Sequence, residues 1–136
     1  MPISYVYDET LNIVFTTASG VLLVDDFIDE LKRQRQDDSL PKNSPGLVDL
    51  LAVERVVVGQ GLSSLIQIAD DTIDDRGYAY VALIVTDPAL SHLAELLSAG
   101  SKSANSALIY EVFPTRKEGQ EWLMNRPLHP ALVGGD

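Results

Sequence analysis

The sequence predicts an α/β fold: a five-stranded mixed sheet, made of an N-terminal antiparallel hairpin and then parallel β-α units, with four helices. Three observations carry this expectation. Two β-branched and aromatic runs near the start flank a short polar turn, as in a hairpin. Helical and extended patterns then alternate along the chain, which calls for parallel strands joined by right-handed crossovers. Residues 78–86 are apolar on both faces, as a strand inside a helix-covered sheet must be.

The first strand is Ile3-Ser4-Tyr5-Val6-Tyr7, alternating with period two until the polar turn Asp8-Glu9-Thr10. The second, Asn12-Ile13-Val14-Phe15-Thr16-Thr17-Ala18, is expected to stop at Gly20. Val24, Phe27, Ile28 and Leu31 fall at i, i+3, i+4 and i+7, one face of a first helix. Asp25 and Asp26 in its first turn, and Lys32, Arg33 and Arg35 in its last, complement the helix dipole. Asp29 and Arg33 are spaced for an i,i+4 pair. Pro41, Asn43, Pro45 and Gly46 make residues 37–46 a loop.

Leu47-Val48-Asp49-Leu50-Leu51 is the third strand, apolar enough to be buried on both faces. Residues 52–61 read in two ways, as a short strand around Val56-Val57-Val58 or as a loop. Leu62, Leu65, Ile66, Ala69 and Ile73 share one face of a second helix. The fourth strand, 78–86, is expected in the middle of the sheet. Asp87-Pro88 opens a third helix, with Asp as N-cap and Pro at the first helical position. Leu90, Leu93, Ala94 and Leu97 are its buried stripe, and Gly100 is its expected end. The small polar residues 98–106 suggest a flexible loop. Ala107-Leu108-Ile109-Tyr110-Glu111-Val112-Phe113 is the last strand. Thr115-Arg116-Lys117-Glu118 is a capping box opening the fourth helix, anchored by Trp122 and Leu123. Beyond it Pro127, Pro130 and Gly134-Gly135 suggest fraying. The expected division is one domain over 1–124 and a C-terminal tail over 125–136.

A chain of 136 residues, 46% apolar and 22% charged, has the composition of a single globular domain. Roughly 65–70% of its unfolded surface could be buried at this length. Twenty acidic against ten basic residues give a net charge of −10, which argues against nucleic acid and against stable association with an anionic membrane. Zero cysteines exclude disulfides, thiolate catalysis and cysteine zinc sites, and suit a reducing cytoplasm, the expected location. No apolar run is long enough for a membrane helix, and Met1-Pro2-Ile3-Ser4 lacks the features of a signal peptide.

The order β-β-α-β-α-β-α-β-α, with Leu47-Val48-Asp49-Leu50 as third strand, resembles the SpoIIAA-like (STAS/SEC14-like) family of small bacterial proteins. The ending Val112-Phe113, Thr115, Glu118, Trp122-Leu123 looks like that family's closing strand and helix, so the likeness spans residues 3–124. It implies sequential strand order. It also implies two kinds of work: anti-anti-sigma-type binding of a kinase-like partner, switched by serine phosphorylation, or SEC14-type carriage of lipid in an apolar pocket. The family's switch is Asp-Ser-Ser/Thr-Gly at the opening of the second helix. The nearest counterpart here is Gly59-Gln60-Gly61-Leu62-Ser63-Ser64, which lacks the Asp-Ser pair.

Gly59, Gly61, Ser63 and Ser64 are therefore the candidate partner-binding residues, placed where a loop enters a helix and a phosphate would meet the positive dipole end. Two glycines fall short of a dinucleotide fingerprint. Asp49, Thr86 and Asp87 are the candidate ligand-binding residues, because open parallel sheets bind ligands at the carboxyl ends of their strands. Each has a structural reading too: Asp49 tying down the following loop, Asp87 capping a helix. Asp70, Asp71, Asp74 and Asp75 lack calcium-loop spacing and read as solvated charge, so no metal and no cofactor is expected. His92 has no nucleophile and orienting group patterned around it. The expectation is a non-enzymatic protein-interaction or regulatory module, with carriage of a lipid or other apolar small ligand as the alternative. Edge strands around Tyr5-Tyr7 or residues 108–112 offer a route to a homodimer.

Overall fold

In the computed structural model, which describes residues 3–57, 79–103 and 108–126, the polar stretch after the first strand closes the hairpin. Asp8 Oδ1 accepts the Leu11 N–H at 3.0 Å, and Asn12 adopts a left-handed φ of 55°, a conformation Asn tolerates. The elements that follow are β1 (Ile3–Asp8), β2 (Ile13–Leu23), α1 (Val24–Arg35), β3 (Gly46–Val57), β4 (Ala79–Ile84), α2 (Pro88–Ser103), β5 (Leu108–Phe113) and α3 (Arg116–Asn125).

The strands form one sheet in the order β1-β2-β3-β4-β5. The first pair is antiparallel and the other three are parallel, the mixed arrangement and sequential order expected. Three helices lie within the described residues. The expected second helix, over residues 62–73, lies outside them, as do Gly59, Gly61, Ser63 and Ser64.

Side chains alternate across the sheet. On one face Ala18, Leu22, Val48, Val81, Leu83 and Tyr110 pack beneath α1 and α2, which contribute Val24, Phe27, Ile28, Leu90, Ala94 and Leu97. On the other, Ile13, Leu47, Ala82 and Ile84 pack against Leu123 of α3, with Trp122, Tyr80 and Phe113 half-buried around them. The apolar fourth strand is thus covered on both sides, as its composition demanded. It runs between β3 and β5, and β3 holds the centre.

Several boundaries depart from the expected ones. Strand β2 does not stop at Gly20. That residue takes a φ of 68°, the register against β3 shifts around it, and the strand runs on to Leu23. A residue without Cβ turned a stop into a bulge. Strand β3 continues through Val57, which resolves residues 52–57 as strand. Helix α2 passes Gly100 and ends at Ser103, so residues 98–103 are not a loop. Tertiary bonds explain why: Ser98 Oγ donates to the Tyr110 carbonyl at 2.7 Å, and Ser101 Oγ accepts the Tyr110 N–H at 3.2 Å. Finally, Arg33 bonds Glu30, one turn away at i,i+3, where the i,i+4 rule favoured Asp29. Thr115 caps α3 as expected, accepting the Glu118 N–H at 3.2 Å.

Candidate functional site

Helix α1 lies over the sheet with Phe27 and Leu31 inward, and the same stripe then presents Glu30 and Gln34. Beneath it, Thr16 stands on β2 between the buried Val14 and Ala18, and Tyr110 on β5 pairs with Val81 of β4. These residues enclose a pocket, completed by Val48, Ser44 and Leu108. Its volume is about 50 Å³.

The wall is apolar apart from five side chains, and four of those have partners. Gln34 Nε2 donates to Thr16 Oγ1 at 3.0 Å. Glu30, 2% exposed, accepts from Arg33. Ser44 Oγ donates to the Pro41 carbonyl at 2.8 Å. The fifth is Tyr110. It is 1% exposed, and its hydroxyl is buried with no hydrogen-bond partner among the described residues. Burial pushes its pKa well above that of an ordinary phenol, because the phenolate would lose its hydration. Its backbone amide and carbonyl are bound by the two serine hydroxyls of α2, and its ring packs in the core between the sheet and the helices. A second, wholly apolar gap of about 70 Å³ lies between α1 and α2 under Phe27, Leu83 and Leu97.

The residues singled out in sequence fare differently. Asp49, Thr86 and Asp87 do gather at one end of the sheet, since Asp49 is the register partner of Ile84 on β4. Asp49 Oδ1 accepts the Leu51 N–H at 2.9 Å, and Arg116 Nε lies 3.7 Å from its other oxygen. Asp87 Oδ1 accepts the N–H groups of Ala89 and Leu90 at 3.0 and 3.2 Å, the N-cap of α2. Thr86 is exposed. Asp87 thus does the capping work of its other reading, whereas Asp49 binds a backbone N–H as that reading had it but within β3, where no loop follows. His92 is exposed on α2. Among the described residues no cluster of three or more His, Asp or Glu could hold a metal ion. No described helix is long and apolar enough to cross a membrane.

The pocket itself was not anticipated. Its signal lay in two places: Thr16, a polar residue at an inward position of an alternating strand, and Glu30 with Gln34, polar residues on the stripe begun by Phe27.

A solved structure resembles this chain. It is an uncharacterised protein of the DUF3478 family, described as having a SpoIIAA-like fold, from Shewanella loihica PV-4. The two share 14% identity, with 89% of this chain and 93% of that one aligned and a TM-score of 0.49. No protein-family model matches the chain, and comparison with curated proteins finds no match.

Proposed function

We propose that this protein is a non-enzymatic interaction module that engages a protein partner at the far end of the β2–β3 ribbon and the segment leading on from it. The supporting observation is the shape of that end. Strand β3 pairs with β4 only as far as Asp49, whereas its pairing with β2 continues to Leu23 and Val57. A two-stranded ribbon therefore extends past the rest of the sheet. Leu22 and Val56 turn toward the α1–α2 core, so Val21, Leu23 and Val57 share the opposite face, and each is more than 40% exposed. Large apolar side chains exposed together on one patch are a marker of association surfaces. Val57 leads directly into Gly59, Gly61, Ser63 and Ser64, the residues expected to bind a partner. A net charge of −10 favours a basic partner, drawn in by long-range attraction.

The alternative, carriage of a lipid, asks for a cavity of about 300–1,000 Å³. The two core pockets formed by described residues are near 50 and 70 Å³, and the space of about 530 Å³ beside Trp122 and Arg126 is an open surface groove with Glu118 and Glu121 in its wall, not an apolar cavity.

Cross-linking and pull-down from the source cells with the wild type and with Leu23→Glu and Val57→Glu tests the partner reading. One basic protein recovered with the wild type and lost with both variants is the expected result. Its association rate should fall steeply as salt is raised. Equal recovery by the variants, or a salt-insensitive rate, counts against the reading.

A further inference from the structure

We infer that the pocket beneath α1 binds a short protonated amine, an alkylammonium of a few carbons, through the free oxygen of the buried Glu30 carboxylate. The site stands apart from the partner reading and uses none of its residues.

Glu30 is 2% exposed, and Arg33, an exposed residue one turn further on, bonds one of its oxygens, Oε2. No described residue bonds Oε1. A carboxylate oxygen stripped of water and left unpaired is costly, so buried carboxylates collect donors on both oxygens. Nor is Oε1 sealed in. Among described residues away from the surface, the Tyr110 hydroxyl is the single polar side-chain atom that lacks both a partner and accessible surface. Oε1 lacks the partner and therefore keeps the surface, and the pocket whose wall Glu30 helps to form is its outlet.

The neighbouring polar groups ask for the same complement. Gln34, one turn on from Glu30, donates its Nε2 to Thr16 Oγ1 at 3.0 Å, while its side-chain carbonyl accepts nothing from the described residues. Ser44 Oγ donates to the Pro41 carbonyl and keeps its accepting capacity. Acceptors thus predominate on the polar wall, and N–H groups match them. An ammonium supplies three donors and the opposite charge, and charge-assisted bonds are roughly twice as strong as neutral ones. The net charge of −10 also raises the concentration of cations around the protein. An anion would face Glu30 with Arg33 already engaged. Phe27, Leu31, Val48 and Val81 line the remainder and suit a short alkyl tail. About 50 Å³ is several times the ~10–15 Å³ needed by one water, room for a few heavy atoms. Waters filling it would each need two to four polar contacts, which this apolar side does not offer.

Propylammonium, propan-1-ol and propionate share one alkyl body and differ in the head group. Each is titrated into the full chain at constant ionic strength and near neutral pH, while amide resonances of Thr16, Gln34 and Val81 are followed by NMR. Saturable shifts are expected with propylammonium, in the roughly millimolar range that so small a molecule reaches. Propan-1-ol should bind at least about tenfold more weakly, and propionate not at all. Glu30→Gln keeps the side chain's shape and removes its charge. It should weaken propylammonium roughly tenfold or more and leave propan-1-ol within about twofold. If that variant folds poorly, Arg33→Gln decides the matter: it frees Oε2 from an exposed position, so propylammonium should bind at least as tightly as to the wild type. The inference is overturned if no saturable shift appears at these amides, or if propylammonium shifts are merely spread over the acidic surface. It is equally overturned if propan-1-ol or propionate binds as well as propylammonium, if a well-folded Glu30→Gln keeps full affinity, or if Arg33→Gln binds propylammonium more weakly.

Discussion

An unpartnered hydroxyl costs about 1–3 kcal/mol when it is buried, which is why the isosteric change Tyr110→Phe is informative in the absence of any added molecule. The ring and its packing survive the substitution and only the orphaned O–H is lost. The variant should be as stable as the wild type or more stable by about 1 kcal/mol, read from the urea midpoint. A drop of more than about 1 kcal/mol would show that the hydroxyl has a partner in the folded protein. Tyr5 is the opposite case. Its hydroxyl donates to Asp37 Oδ2 at 2.5 Å, and this bond, with desolvation and the carboxylate's charge behind it, pushes its pKa from 10.0 up to about 12. A raised phenol pKa means that the folded state holds the proton more tightly. The resulting stability is fully present below the unfolded-state value of 10.0 and is lost as pH rises through about 12. The stability gap between wild type and Tyr5→Phe should therefore shrink across that window. A gap that stays constant with pH would show that the bond to Asp37 does not hold in solution.

Helix α3 sits on the sheet through Gly119, and a Cβ there would lie 2.5 Å from Ile84 Cδ1 and 3.2 Å from Ala82 Cβ. Alanine gains about 1 kcal/mol in helix propensity over glycine. The collision works against it: Ile84 is fully buried and Ala82 has no rotamer to yield, so overpacking costs typically 1–3 kcal/mol. Gly119→Ala should destabilise by up to about 2 kcal/mol net. Ile84→Val in the same chain should recover part of that loss, a non-additivity that thermal unfolding of the two singles and the double would reveal. On the other side of the sheet, α2 closes the outer edge of β5 through Ser98 and Ser101. Either serine replaced by alanine leaves a main-chain group of Tyr110 unsatisfied, with an expected loss of about 1–3 kcal/mol and, by denaturant titration, no change of slope. These contacts also mark the limit of what could be read from the chain alone. Strand alternation, the Asp87 and Thr115 caps and the α1 stripe are local patterns, and they were legible. Ser98 and Ser101 look like loop residues because their partner, Tyr110, is remote in any local window. The pocket was hidden for the same reason. Thr16, Glu30 and Tyr110 come from three elements, and only strand order brings them together.

Across the whole molecule the unbalanced charge sets a condition on stability. Twenty acidic side chains face ten basic ones, and compaction brings the excess together. Salt acts on two opposed terms. It weakens surface ion pairs such as Lys102 with Glu111, at 2.6 Å, and Arg116 with Asp49, each of a kind worth about 0–1 kcal/mol. It also screens the repulsion among the surplus carboxylates, which acts over the full surface. The screening length falls from ~30 Å at 0.01 M to ~8 Å at 0.15 M, so the long-range repulsion is lost first while pairs in contact persist. Repulsion should therefore dominate the response, and the midpoint of thermal unfolding should rise by about 2–5 °C over that range, most of it below 0.15 M. Sodium chloride and sodium sulfate matched in ionic strength should agree at the dilute end, because the effect there is screening and not ion exclusion. A flat or falling midpoint would mean that attractive pairs outweigh the net charge. The salt dependence expected of partner association would then lose its electrostatic basis as well.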